Sequence, residues 1–197
     1  MVASRTMSER HSARAPDPYA GWMPHVSLVA VLGHGVCAGE PVLHADDLGL
    51  TRGDGCFEAT RIHVDDTGTR VDQLEAHLAR FSRSAASLEI EVDEPAWRAL
   101  LDEVIACWSE PGEAILRWML TRGREGGGAP TGIVTVTPLD ERTFRARRGI
   151  AAVLLDRGHP ADAFTDRPWL LGGVKTLSYA VNVAAGREVV RRGADDA

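Results

Sequence analysis

A chain of 197 residues, 44% hydrophobic and 25% charged, has the make-up of a soluble globular protein with room for one core and part of a second. Its net charge of -6 argues against a nucleic-acid footprint, and no apolar run approaches the roughly 18 residues that a membrane span needs. Three cysteines without a C-x-x-C pair argue against a disulfide scaffold and fit a reducing cytoplasm, and the seven histidines show no zinc spacing.

Residues 1–20 are polar, lack the apolar stretch of a signal peptide and read as a disordered tail. Residues 26–32 are a short apolar run, a strand ended by a turn at Gly33-His34-Gly35. Residues 46–55 are rich in Gly and Asp and read as a loop. Residues 56–64 then form a strand whose alternation puts Phe57, Ala59, Arg61 and His63 on one face. An arginine on that face either snorkels to solvent or binds an anion, and spacing alone favours the first.

Residues 72–88 form a helix, with Leu74, Leu78, Phe81, Ala85 and Leu88 as its apolar stripe and Asp72 with Glu75 as a capping box. His77 and Arg80 lie beside that stripe, where a structural role at a domain edge is expected. A second helix over 95–108 carries Trp97, Leu100, Leu101, Val104, Ile105 and Trp108 as core residues. Residues 114–121 and 133–137 are strands, separated by the flexible Gly126-Gly127-Gly128-Ala129-Pro130. Residues 138–148 are polar, with four arginines, and read as an interdomain linker. Residues 150–155 are expected to open a second domain as a buried strand, followed by a loop over 156–169. A last helix follows Lys175 and runs to about Arg192, with Gly193 as its cap.

The segment Gly172-Gly173-Val174-Lys175-Thr176-Leu177-Ser178-Tyr179-Ala180-Val181-Asn182 holds the one lysine of a chain that otherwise uses arginine for all its fixed positive charge. Arginine replaces lysine for surface charge but not where a deprotonated amine attacks a carbonyl, so the lone lysine points to Schiff-base chemistry. A chance survivor on a solvated face remains open. A phosphate loop needs Gly directly before the lysine, and Val174 stands there, which argues against a nucleotide-dependent transferase.

Four blocks in order resemble the class IV pyridoxal phosphate (PLP)-dependent enzymes. They are His44-Ala45-Asp46-Asp47-Leu48 with Arg52-Gly53-Asp54-Gly55-Cys56-Phe57-Glu58-Ala59-Thr60-Arg61, then Glu75-Ala76-His77-Leu78-Ala79-Arg80, Thr121-Arg122-Gly123, and Lys175-Thr176-Leu177-Ser178-Tyr179 with Asn182 and Gly193-Ala194-Asp195-Asp196-Ala197. The resemblance covers roughly residues 24–197. It implies a two-domain α+β or α/β PLP fold of type IV, with a disordered tail over 1–20 and a complete small N-terminal domain over 21–140. A PLP-binding C-terminal domain would begin at 149–197 and be truncated at Ala197.

The resemblance further implies PLP as cofactor, Lys175 as its Schiff-base partner and proton-moving base, and Arg61 as holder of its phosphate. Tyr179 would contact the cofactor's phenolic oxygen and Arg122 the substrate. The partners implied are a small amino substrate and a second copy of the chain, in a cytoplasmic homodimer that needs neither membrane nor nucleic acid.

Among the family's reactions, conversion of 4-amino-4-deoxychorismate to 4-aminobenzoate and pyruvate is the first expectation. The wording Lys-Thr-Leu-Ser-Tyr resembles that of the lyases, and the stretch after Gly123 lacks the Arg-x-His of the D-amino-acid aminotransferases. D- or branched-chain amino-acid transamination is the alternative. A catalytically incompetent dimerisation module is the second alternative.

Overall fold

The computed structural model describes residues 28–37 and 43–197, so the expected tail over 1–20 and the first two residues of the expected strand over 26–32 lie outside the described residues. Six strands build one sheet: β1 (Leu28–Val31), β2 (Gly35–Cys37), β3 (Gly55–Asp65), β4 (Gly68–Val71), β5 (Gly112–Thr121) and β6 (Thr131–Pro138). Their order is β2-β1-β6-β5-β3-β4, and every neighbouring pair is antiparallel. With helices following strands rather than alternating with parallel ones, this part of the chain is α+β.

Alternation in β5 decides the core. Ala114, Leu116, Trp118 and Leu120 point one way and are at most 1% exposed. Helices α2 (Leu74–Ser87) and α3 (Glu94–Cys107) cover that face with Phe81, Ala85, Trp97, Leu101 and Val104, all buried. Phe81 and Trp97 meet edge to face with ring centroids 5.0 Å apart. Asp93 caps α3 by accepting from the Ala96 amide at 3.0 Å.

The expected capping box of α2 is not formed. Gln73 precedes the helix in the left-handed region (φ 46), so the extended geometry that a capping side chain requires is absent. Asp72 instead accepts from Arg61 Nε at 2.8 Å, and Glu75 pairs with Arg98.

Two short helices interrupt stretches that composition marks as irregular. Helix α1 (Leu48–Thr51) is capped by Asp47, a fully buried carboxylate that also takes hydrogen bonds from Thr121 and Thr131, each 2.9 Å long. Helix α4 (Glu141–Ala146) is capped by Asp140. The last helix, α5 (Ala180–Arg191), ends on Gly193 at φ 68. None of the helices among the described residues is long and apolar enough to cross a membrane.

The buried strand expected over residues 150–155 is corrected. Only Ala152 makes a bridge, parallel to Asp196, while Ile150 is 48% and Leu154 98% exposed. An apolar run becomes a strand only against a neighbour that takes its hydrogen bonds, and the described residues supply one bridge and no ladder.

Candidate active site

The site is set by an unequal division of β3's two edges. Strand β5 pairs with β3 from Gly55 to Val64, whereas β4 reaches only as far as Ile62 on the other edge. The start of that second edge would carry unpaired backbone groups, and the Lys175 segment occupies it. Phe57 N–H donates to Lys175 O at 3.0 Å and Leu177 N–H to Gly55 O at 2.9 Å, bracketing an antiparallel bridge between Cys56 and Thr176. Ser178 Oγ donates to Gly53 O at 3.2 Å. The close docking depends on glycine: Gly53 sits at φ 70, and a Cβ there would come within 2.5 Å of Ser178 Oγ.

Docking directs the Lys175 side chain over aromatic rings. Its Nζ stands 4.1 Å from the centre of the Phe57 ring and 6.0 Å from that of Tyr179. The two rings meet edge to face at 5.4 Å. Beside them opens a hollow of about 630 Å³, whose lining includes Lys175, Thr176, Ser178, Tyr179, Arg80 and Arg157. No carboxylate belongs to the lining among the described residues. The described residues also hold no group of three or more His, Cys, Asp or Glu side chains placed to bind a metal ion.

Arg80 enters from α2 and is held from behind. Its Nε donates to Glu58 Oε1 at 2.5 Å and its Nη2 to Glu58 Oε2 at 2.7 Å. Glu58 is on the core-facing side of β3 and fully buried. His77 Nδ1 is 2.9 Å from Glu58 Oε2; since an ionised carboxylate only accepts, that nitrogen carries the proton. Burial alone would raise the Glu58 carboxyl's pKa, but the bonds and charges of Arg80 and His77 outweigh it and hold it below the usual range. The neighbouring Cys56 thiol, buried and facing that negative charge, is pushed up to about 12.

Lys175 and Tyr179 are therefore brought together, and Arg61 is not with them. Arg61 lies four residues further along β3 than Phe57, about 13 Å at strand rise. There its guanidinium bridges Asp72 at 2.8 Å and Glu113 at 3.2 Å on the surface. Arg147 after α4 shares Glu113, and the two cations draw that carboxyl down to about 2 against a smaller opposing effect of burial. The phosphate role expected for Arg61 has no support in this geometry: its Nε and Nη1 pair with two carboxylates at the far end of the strand, and it does not line the hollow.

Arg122 is likewise engaged elsewhere. It forks onto Asp54 (2.6 and 3.4 Å) and donates to the Leu88 and Glu89 carbonyls, closing the C-terminal end of α2. The expected substrate contact from Arg122 has no support in that geometry. After Gly123, Arg124 pairs with Asp46 at 3.0 Å on the surface.

Arg80 is the charged residue of the hollow on α2 that the linear pattern does not single out. Its signal is a pair of residues, His77 and Arg80, one turn apart beside an apolar stripe, together with a glutamate at a core-facing strand position that needs cationic partners.

Comparison with known proteins shows the family of the chain. A model of the amino-transferase class IV family matches residues 55–197. A curated relative, the bifunctional aminodeoxychorismate lyase / D-amino acid transaminase of Mycobacterium tuberculosis, is 46% identical over 162 residues, which is 80% of this chain and 55% of that protein. A hypothetical aminotransferase from Mycobacterium tuberculosis, solved apo and PLP-bound, superposes with a TM-score of 0.76 at 43% identity, over 86% of this chain and 60% of that one. A fold IV transaminase from Curtobacterium pusillum gives a TM-score of 0.75 at 38% identity, over 85% of this chain and 61% of that one. The chain thus spans between half and two thirds of the length of these relatives.

Proposed function

We propose, from the premise that this chain belongs to the class IV aminotransferase family, that it binds PLP through Lys175 and acts on a small amino substrate. One observation carries the reading. The only lysine of the sequence and an arginine fixed by a buried carboxylate line one hollow, an amine for an aldehyde and a guanidinium for a phosphate. The residues present fit the group at both ends. Bonds to Glu58 use Nε and Nη2 of Arg80, and its Nη1 makes no hydrogen bond among the described residues. The PLP-bound form of the Mycobacterium tuberculosis structure supports the same choice of cofactor.

When bound, PLP supplies an electron sink for charge developing at the substrate carbon. The protein's own residues do the rest. Arg80 holds the phosphate, Phe57 and Tyr179 wall the amine from one side, and Lys175 Nζ takes and returns the proton at the aminated carbon. Residues 21–140 serve as the small domain and 149–197 as the start of the cofactor-binding domain, and two copies assemble in the cytoplasm as a homodimer.

The reaction proposed first is elimination of pyruvate from 4-amino-4-deoxychorismate to leave 4-aminobenzoate. A D-amino-acid transaminase reading stands second, favoured by the two activities in the name of the curated relative. Branched-chain transamination has no comparable support at this level of identity.

The visible spectrum of the purified protein with PLP, before and after borohydride, tests the reading, with Lys175→Ala as control. A band that borohydride fixes onto Lys175 is expected. A colourless protein would leave only the alternative of an incompetent dimerisation module. Release of pyruvate and 4-aminobenzoate, measured against transfer from D-alanine to 2-oxoglutarate, then separates lyase from transaminase.

A further inference from the structure

A fully buried glutamate on the core-facing side of β3 needs explaining. Glu58 stands opposite Trp118 on β5, beside a hydrophobic core that includes Phe81, Trp97, Trp108, Trp118, Cys56 and aliphatic side chains. Taking a carboxylate out of water is costly, and replacing a buried ion pair with apolar residues of similar volume is often neutral or stabilising. The fold alone would be served as well by leucine or methionine. The return on the buried charge must lie in what it holds.

Glu58 holds Arg80, and in one orientation. Both carboxylate oxygens are used, Oε1 by Arg80 Nε and Oε2 by Arg80 Nη2, a two-point contact that fixes the plane of the guanidinium as well as its position. The carboxylate is itself prevented from turning. His77 Nδ1–H donates to Oε2, and the His77 ring packs edge to face against Trp118 with centroids 6.3 Å apart. The side of the guanidinium turned away from Glu58, carrying Nη1, belongs to a residue that lines the Lys175 hollow.

An arginine side chain is long and 46% exposed here, so without a buttress it would sample many rotamers and lose that freedom on binding an anion. Resting on the PLP reading above, we propose that Glu58, locked by His77, is a positioning residue that pre-orients Arg80 as the acceptor of the cofactor's phosphate. Two effects oppose each other when Glu58 is neutralised. Removing a negative charge next to Arg80 strengthens its pull on an anion. Losing the fork frees the guanidinium, and the amide of glutamine points an N–H at donors that need an acceptor. Positioning dominates, because the charge effect acts on an anion bound at a part-exposed, water-screened guanidinium, whereas the carboxylate that anchors the fork is fully buried.

The test compares PLP with pyridoxal, which has the same aldehyde and no phosphate. Both are titrated into wild type, Glu58→Gln, Arg80→Ala and the double variant, with borohydride trapping on Lys175 as the readout. By analogy with outer-shell partners of metal ligands, Glu58→Gln should weaken PLP about 10-fold. Pyridoxal binding should stay within about two-fold of wild type, and the substitution should have no further effect once Arg80 is alanine. Inorganic phosphate should compete with PLP less well in Glu58→Gln than in wild type.

Equal loss of PLP and pyridoxal would overturn the proposal, because it would mean that Glu58 serves the fold alone. Tighter PLP binding, or an undiminished effect in the Arg80→Ala background, would overturn it too. If Glu58→Gln does not fold by circular dichroism, Glu58→Asp, which keeps the charge and shortens the reach, must give the same selective loss. A wild type that traps neither aldehyde would sink the PLP reading itself and this proposal with it. A wild type that traps PLP, with an unchanged ratio in the variants, would sink this proposal alone.

Discussion

The sheet region over residues 28–138 and the segment over 149–197 are held by different means. The first has a continuous core in which Trp97, Trp118, Phe81 and Leu116 are fully or almost fully buried. The second has Val189 as its one buried hydrophobic residue, while Leu154 is 98%, Trp169 72% and Val181 66% exposed. Yet Lys175 belongs to the second. Its place comes from the first, through backbone bonds to Gly55 and Phe57 and a long contact from its own amide to Ser84 Oγ at 3.4 Å. The lesson is that an amine can be positioned by an open strand edge without a core of its own around it.

The sharpest way to break this contrast is a matched pair of tryptophan truncations. Trp118→Ala removes a buried ring from the sheet core and should cost ~3–5 kcal/mol in urea unfolding, whereas Trp169→Ala should stay within ~0.5 kcal/mol. Equal losses would mean that the second region is packed after all.

A comparable contrast separates the two arginines. Arg80→Ala leaves the buried Glu58 carboxylate short of its main partner and should destabilise by ~3–5 kcal/mol as well as abolish tight PLP binding. Arg61→Ala breaks exposed pairs and should cost no more than ~1 kcal/mol, with PLP binding intact. The two unfolding curves and two PLP titrations check both halves, and loss of PLP affinity in Arg61→Ala would restore the phosphate role to Arg61.

Gly53→Ala probes the dock itself. It forces a side chain into positive φ and against Ser178, a strain of ~1–3 kcal/mol that lifting the 175–178 segment relieves. Faster hydrogen exchange at the Phe57 and Leu177 amides, with Leu116 and Trp118 unchanged, is the expected result. Uniform acceleration would mean that segment and sheet open together.

The smallest effect concerns acid. Glu113 has a folded pKa of about 2, below its ordinary value, so its contribution to stability is present above the unfolded pKa and lost as pH falls through the folded one. Between roughly pH 4.5 and 2, Glu113→Gln should flatten the loss of stability relative to wild type. An unchanged acid limb would show that the Arg61–Glu113–Arg147 cluster contributes nothing in solution.

Much of the sheet region is legible locally. The period-two burial of Ala114, Leu116, Trp118 and Leu120 and the helical spacing of Leu74, Leu78, Phe81 and Ala85 are written in short windows. The run over 150–155 misleads because strand formation is a property of a pair, and its partner is not in the window. Asp72 misleads as a cap because the backbone at Gln73 turns left-handed and Arg61 claims the carboxylate.

By itself the sequence determined the elements of the sheet region, the choice of Lys175 as the one amine and the family that its motifs resemble. These rest on side-chain periodicity and on chemistry that a single residue type carries. Only the tertiary structure decided which of two arginines lines the same hollow as that amine. Arg61 and Arg80 are equally basic and both belong to family-like blocks. What separates them is the pairing of Cys56 with Thr176, 120 positions apart, which brings Lys175 to the start of β3. That leaves Arg61 at the other end of the strand with two carboxylates, while the buried Glu58 holds Arg80 beside the hollow.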